Sequence, residues 1–422
     1  MAAKARAVRK TAPIFVLGGH QTDFARNLTR EGKSLADLIA ETAQGALESS
    51  RVDAADIDVG HVGNFAAELF SQQGHLGGLL VEADPAFVGL PTGRHEAACA
   101  SGSIALLAAM ADLESGRYDT ALVLGVELMR NGTAFEASQK LGAAAWVPRE
   151  TEGVAYPWPA MFSEVGDEYE RRHGLQREHL VALAKSCFAN AQRNPNAQTR
   201  RWVLSEKAFE AGGPENPTIA GRLCKLDCSQ VSDGGSALIL ASARRAEAHA
   251  RERGIPLSSL PRITGWGHRT AQMSLQSKLS SSREEAYVFP QVRGTITDAF
   301  ARAGLEGAGD LDAIECHDCF TTTHYLAIDH FGITPPGQSF QAIEDGRVLF
   351  GGSIPVNPSG GLIGLGHPVG ASGVRMVLDA AKQVTGSAGA YQVPGARRAA
   401  TLNIGGSTTT SVVFVVERES AN

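Results

Sequence analysis

The feature that most constrains the fold is an order of elements that occurs twice. In each half of the 422 residues an apolar strand is followed by an amphipathic helix, a second strand and a glycine-rich turn that feeds a small-residue helix, and strands close the half. The first half supplies these at 14–19, 34–47, 56–63, the turn around Cys99 with the helical pattern 104–110, and the apolar run 119–128. The second supplies them from Pro261 onward, at 292–303, 313–316, the turn 360–373 feeding 374–381, and the paired strands 399–406 and 410–416. Such alternation predicts a layered α/β fold with a largely parallel sheet. Ala-Ser-Gly stands at 100–102 and again at 371–373, each time early in the small-residue helix, as a duplication would leave it.

Between the halves the texture changes. From Met129 to Cys228 the chain carries Trp146, Pro148, Tyr156-Pro157-Trp158-Pro159 and Asn194-Pro195-Asn196, with Arg171-Arg172, Arg193, Arg200-Arg201 and Lys207 spread along it. This reads as a loop-rich insertion, either a solvated face or a lid that meets an anionic, nucleotide-bearing ligand. The apolar pattern resumes at 232–241, as though the first sheet were completed after the insertion. The expected units are therefore 1–128 together with 229–258, the insertion 129–228, and a second half 259–422. Within the first unit, Ser34 with Asp37 three residues on is a candidate N-cap.

Composition excludes several classes. A net charge of -6 gives no global field to hold nucleic acid. No run of about 18 apolar residues spans a membrane, and neither the basic segment 1–10 nor the tail 419–422 carries a secretory, lipid or peroxisomal address, so the expected place is the cytoplasm. The six cysteines, Cys99, Cys187, Cys224, Cys228, Cys316 and Cys319, are too few and too scattered for a disulfide scaffold. Cys224/Cys228 and Cys316/Cys319 resemble zinc half-sites, but without the paired spacing that a zinc site shows, and no metal is expected.

Cys99 lies in Arg94-His95-Glu96-Ala97-Ala98-Cys99-Ala100-Ser101-Gly102-Ser103. A turn entering a helix N-terminus favours a thiolate and hence a nucleophile; from this stretch alone a buried structural thiol fits as well. A cysteine nucleophile needs a base, donors aimed at a developing oxyanion, and an acid or base for the other partner. His367, between Gly366 and Pro368, is the candidate base, with an ordinary turn histidine as the plainer reading. In Cys316-His317-Asp318-Cys319-Phe320, alternate residues of an extended segment share a face, so His317 and Cys319 enter one pocket together.

Here the motifs carry a resemblance. Cys99 in Cys-Ala-Ser-Gly, His317-Asp318-Cys319-Phe320, Asn357-Pro358 with Gly360-Gly361 and Gly366-His367-Pro368, and Asn403-Ile404-Gly405-Gly406 resemble the four active-site segments of the thiolase superfamily, and more narrowly its sterol-carrier-protein-type members. Other branches carry an Asn-Glu pair at His317-Asp318 and a cysteine at Asn403. The resemblance implies a duplicated five-layer αβαβα architecture with an inserted loop domain, and a homodimer or homotetramer. It implies no tightly bound cofactor, with coenzyme A as substrate and product and acyl-CoA esters as ligands. By the same resemblance Cys99 takes the acyl group as a thioester, His367 activates it, and His317 donates to the thioester oxygen where an enolate develops. Cys319 shuttles the proton, Gly405 and Cys99 supply oxyanion-hole amides, and Ser229 lies near the pantetheine arm.

The reaction expected is 3-oxoacyl-CoA cleavage or acetyl-CoA condensation. Two alternatives stand beside it. One is an acyltransferase or carbon–carbon bond-forming enzyme of the same fold with a non-CoA acceptor and a small accessory protein, since Thr321-Thr322-Thr323-His324 and the insertion leave the acceptor pocket unread. The other is a non-catalytic lipid-binding or transfer protein, against which all four catalytic side chains speak. A ketoacyl synthase fits less well, because Cys319 is foreign to its usual triad.

Overall fold

The computed structural model describes residues 12–419, so the segment 1–10 and most of the tail lie outside the described residues. The strands are β1 (Ile14–Gln21), β2 (Val59–Gly63), β3 (Thr92–His95), β4 (Thr120–Glu127), β5 (Thr218–Ala220), β6 (Leu223–Cys224), β7 (Gly234–Ala241), β8 (Arg262–Thr270), β9 (Ala313–Cys316), β10 (Arg398–Gly405) and β11 (Thr410–Glu417). Nine of them join in the order β3-β2-β4-β7-β1-β8-β11-β10-β9, and β5-β6 form a separate ribbon.

Read outward from the middle, the two halves are copies. β1 pairs β7 antiparallel, β7 pairs β4 antiparallel and β4 pairs β2 parallel. β8, β11, β10 and β9 repeat those directions in turn. β3 extends the first half in parallel, and at the matching place the second half has a single bridge between Ile314 and Val356. The halves touch through Ile14 with Ile263 and Phe15 with Arg262. The expected largely parallel sheet is therefore corrected to a mixed one. The last strand of each half, β7 or β11, inserts between the first strand and the rest and runs antiparallel to both. β11 does so by a tight hairpin from β10, a connection open only to antiparallel neighbours.

Helices sandwich these half-sheets into five layers. Helix Leu35–Ser50 covers the outer face of the first half and helix Pro290–Ala303 that of the second, while Ser101–Glu114 and Val369–Thr385 pack against each other between the halves. The middle layer has its own apolar core, drawn from Leu106, Met110, Val123, Leu238, Val377 and Phe414 among others. Helix Leu35–Ser50 starts where Ser34 and Asp37 form a reciprocal capping box, which satisfies two orphan N–H groups.

The insertion is more helical than its prolines suggest. It contains Ala134–Leu141, Pro157–His173 and Arg177–Ala191. Pro157 and Pro159 start the second of these rather than interrupt it, because a first-turn proline removes an N–H that has no intrahelical acceptor. Its two longer helices pack on Thr321–Phe331, a helix of the second half that is buried at every residue. Three of the cations singled out in the insertion are held in ion pairs. Arg171 and Arg172 hold Glu168, and Arg200 holds Asp23.

Candidate active site

The Cys99 turn is built by its neighbours. Ala98 sits at φ 53°, a left-handed conformation uncommon for alanine, and is held there on both sides. Its N–H donates to Glu96 (2.5 Å), and its carbonyl accepts from the Ser101 hydroxyl (2.6 Å), whose oxygen also accepts from Ala97 N–H (3.0 Å). The helix starts at Ser101, so Cys99 projects at its mouth. Gly406, just past the end of β10, lines the same chamber as Cys99, and its amide opposes the rise of the thiol.

His367 is presented by the matching turn of the other half. A tight turn at Gly361–Leu365 and Gly366 at φ 120° deliver it, and helix Val369–Thr385 begins two residues later. Ser232 Oγ accepts from His367 N–H (2.8 Å) and ties the turn to the start of β7. On the ring, Nδ1 meets Ser372 Oγ (2.7 Å), and that hydroxyl donates to the Pro368 carbonyl (3.1 Å). The hydroxyl proton being spent on the carbonyl, Nδ1 is the donor and carries the hydrogen. Nε2 is left as a bare acceptor, buried and without a partner.

His317 follows β9 directly and has the opposite tautomer. Its Nδ1 accepts from the Asn403 amide (3.1 Å), which is oriented by the Ser103 hydroxyl on Oδ1 (2.8 Å). The hydrogen of His317 is therefore on Nε2. The two rings stand edge to face with centroids 5.1 Å apart. Cys99 Sγ and one nitrogen from each ring lie within 4.8 Å of one another, a donor set that could also hold a metal ion. One ring thus offers a lone pair and the other an N–H in one small volume around a thiol.

These groups open on a chamber of about 360 Å³ lined by Cys99, Cys228, Ser229, Gln230, His317, Cys319, His367 and Gly406. Its other walls are apolar: Phe65, Met129, Leu141, Trp158, Phe162, Phe320 and Val369, with Lys225 as the cation at its edge. Phe162 stacks on Phe320 at 4.9 Å and closes the wall beside Cys319. Arg171, Arg172, Arg193, Arg200, Arg201 and Lys207 of the insertion are not in this lining, as the solvated-face reading would have it.

Burial sets the resting charges. It pushes the Cys99 thiol up to about 12, helped by the buried carboxylate of Glu127 and opposed by the Gly406 N–H. It pushes Cys319 well above the thiol range, with Cys99 adding to it, and drives His317 down to about 3 and His367 well below the imidazole range. These directions oppose the thiolate that a helix N-terminus favours. Desolvation favours a neutral thiol beside neutral imidazoles.

Four sequence-chosen side chains, Cys99, His317, Cys319 and His367, meet in this chamber, and Ser229 joins them, its N–H on the Cys319 carbonyl at 2.8 Å. Gly405 does not line it. A β-carbon on Gly405 would come 2.1 Å from the Ala97 carbonyl, so that glycine packs against the nucleophile turn while its neighbour Gly406 lines the chamber. Thr321 to Thr323 do not line it; their hydroxyls bond inward to Asp227, the Phe162 carbonyl and the Phe320 carbonyl.

Sequence reasoning passed over the supports. Glu127, at the end of β4, accepts from Asn64 Nδ2, Phe65 N–H, Ala66 N–H and Gly370 N–H at 2.8–3.0 Å, fixing two lining loops at once. Asp318 accepts from Leu362 N–H (2.5 Å) and from the Cys187 thiol (3.2 Å), behind the catalytic pair. With His324 these form a second close group, wholly buried. Neither zinc half-site belongs to any such group among the described residues.

Residues 14–244 match the family described as thiolase, N-terminal domain, and residues 273–418 match thiolase C-terminal domain-like. The chain is 32% identical over 406 residues to an acetyl-CoA acetyltransferase of Methanothermobacter thermautotrophicus, covering 96% of this chain and 99% of that one. It is 28% identical over 407 residues to sterol carrier protein 2 of Homo sapiens, covering 93% of this chain and 70% of that protein. A solved structure of an Ltp2-ChsH2(DUF35) aldolase shares the fold, with a TM-score of 0.74 at 20% identity, over 97% of this chain and 99% of that one. Two matched domains that together take in nearly the whole chain, and a relative aligned end to end, place this protein in the thiolase family.

Proposed function

We propose that this chain is a thiolase-type acyltransferase that moves an acyl group between CoA and acetyl-CoA through a thioester on Cys99. The observation that carries the reading is the opposed polarity of the two imidazoles around that sulfur. A nucleophile needs a base, and His367 Nε2 is a buried acceptor without a partner. An enolate needs a donor, and His317 Nε2–H is one.

In cleavage the Cys99 proton passes to His367 Nε2 and the sulfur attacks C3 of a 3-oxoacyl-CoA, whose oxyanion takes N–H donors from Gly406 and Cys99. The C2–C3 bond then breaks, and its electron pair becomes an enolate whose thioester oxygen accepts from His317. Cys319 gives its proton to C2, and acetyl-CoA leaves. The thiol of a second CoA returns a proton to the Cys319 thiolate and attacks the Cys99 thioester; the departing Cys99 sulfur recovers its proton from His367. Condensation is the same path reversed. One preorganised oxyanion donor is worth ~3 kcal/mol, so the amides and His317 supply a large share of the barrier reduction.

The apolar walls favour an acyl group larger than acetyl, because an acetyl group alone leaves Trp158, Phe162 and Phe320 facing empty space. Lys225 and Ser229, both in the lining, are polar groups available to meet the CoA arm. Assembly as a dimer or tetramer belongs to this reading and is checked by light scattering. Mass spectrometry of the intact protein after exposure to an acyl-CoA panel tests the whole. The expected result is one acyl adduct on Cys99 that free CoA removes. No adduct and no turnover by folded protein across the panel would overturn it, and an adduct that CoA cannot remove would transfer the case to a non-CoA acceptor.

A further inference from the structure

The turn that carries Gly406 is held by a residue outside the chamber. β10 ends at Gly405 and β11 begins at Thr410, so residues 406–409 make the connection. Two of them, Gly406 at φ 63° and Thr408 at φ 65°, are left-handed, and for threonine that conformation persists only where its surroundings enforce it. The residues on either side of Thr408 are held by Lys278, on the short helix Leu275–Ser281 and 2% exposed. Its Nζ donates to Ser407 Oγ (2.8 Å), Thr409 Oγ1 (2.9 Å), and the carbonyls of Gln272 and Met273 (3.1 Å each).

This arrangement is unusual for a buried cation. No carboxylate lies within ion-pair distance of Nζ among the described residues, although burial of an unpaired ammonium is costly. Four neutral acceptors surround three protons, and two of the acceptors are turn hydroxyls. The same turn is pinned again by Ala271 N–H on the Thr409 carbonyl (2.7 Å) and by Gln291 Nε2 on Thr408 Oγ1 (3.3 Å). Glu150, the acidic group that acts on Lys278, binds Leu275 N–H (2.7 Å) and Trp146 N–H (3.1 Å), and so ties the lysine helix to the insertion.

We propose that Lys278 is a positioning residue for the acyl-transfer reaction: its ammonium fixes the 406–409 turn so that the Gly406 amide is aimed at the oxyanion that forms on Cys99. The inference rests on the thiolase reading above. A lysine suits the task because a tetrahedral ammonium can gather two hydroxyls and two carbonyls at one point, which a planar guanidinium cannot.

The test is Lys278→Met, which keeps the stem and removes the donors. Losing an oxyanion donor outright costs about 10²–10³ in kcat, and misaiming one is expected to cost about 10- to 100-fold. KM for the acyl-CoA is expected to stay within about threefold, because the change acts only where the oxyanion forms. Alkylation of Cys99 by iodoacetamide, which builds no oxyanion, is expected to keep its rate, and Lys278→Arg is expected not to restore kcat. Unchanged kcat in folded Lys278→Met overturns the proposal, as does a fall in alkylation that parallels the fall in kcat. If that variant does not fold, Ser407→Ala with Thr409→Val removes the turn acceptors and is held to the same outcomes. Wild-type protein that never acylates at Cys99 would instead refute the thiolase reading itself.

Discussion

Replacing Cys319 with alanine separates the two thiols by role. The side chain is 7% exposed, beside the stacked pair Phe162–Phe320, and it lines the same chamber as Cys99. Deleting one buried sulfur costs about 1 kcal/mol, on the scale of a methylene, so the variant should fold. Its effect on chemistry should be far larger. Positioned acid–base catalysis contributes about 10²–10⁴-fold, or about 3–5 kcal/mol. The aromatic wall leaves a replacement water few polar partners with which to deliver the proton. Thiolysis of a 3-oxoacyl-CoA should therefore fall by two to four orders of magnitude. Acylation of Cys99 by a saturated acyl-CoA breaks no carbon–carbon bond, and should stay within about threefold of wild type. The two reactions are read on one sample, by CoA-dependent loss of 3-oxoacyl-CoA and by intact mass. Thiolysis retained within threefold would refute the proton-shuttle role. Loss of both reactions would show that Cys319 serves the first step, or only the shape of the chamber.

Other outcomes follow from the same geometry. His367→Gln removes the free Nε2 and should slow Cys99 acylation by about 10²–10⁴-fold in a stopped-flow assay, with little change in melting temperature. Because burial raises the thiol to about 12 and depresses His367, Cys99 is a neutral thiol at neutral pH. Its alkylation without acyl-CoA should keep rising past about pH 9, and a plateau set by a group near pH 7 would contradict a neutral resting pair. Phe162→Ala opens the wall beside Cys319. It should cost about 3–5 kcal/mol in denaturant titration and move the kcat/KM optimum toward bulkier acyl groups.

Much of this could be read from the chain because it rests on local patterns. The strand and helix order, the Ser34–Asp37 cap and the two glycine turns are each signalled within a few residues. Side chains that must do chemistry are conspicuous for the same reason: a histidine between Gly366 and Pro368 has no propensity reason to be there. The supports were illegible because they are long-range. Nothing near Glu127 in sequence announces Gly370, and Lys278 reaches Ser407 across 129 positions. A helix N-terminus beside Cys99 is visible in the sequence, whereas the protein mass that raises its thiol is not. The resemblance points to Gly405; that Gly406 lines the chamber depends on where β10 ends, which no local pattern marks.

The recurrence of Ala-Ser-Gly in the two halves has a steric cause that can be put to test. Helices Ser101–Glu114 and Val369–Thr385 abut near their first turns, and Gly102 and Gly373 are the contact. A β-carbon on Gly102 would lie 2.5 Å from the Gly370 carbonyl oxygen; one on Gly373 would lie 2.3 Å from Ser103 Oγ and 2.5 Å from Asn403 Oδ1. Alanine gains about 1 kcal/mol over glycine in a helix interior. Overpacking costs about 1–3 kcal/mol, and the Gly102 clash is with backbone, which cannot rotate away, so the net sign is destabilising. The chemistry should suffer beyond the stability loss. Gly370 lies three residues from His367, and Asn403 sets the tautomer of His317. Gly102→Ala and Gly373→Ala should thus lower kcat at temperatures where both remain folded. Gly309→Ala, where the added carbon meets nothing within 4 Å, should leave kcat alone. Wild-type kcat and melting temperature in Gly102→Ala would mean that the helices do not meet as described, and with that the convergence of Cys99 and His367 would lose its physical basis.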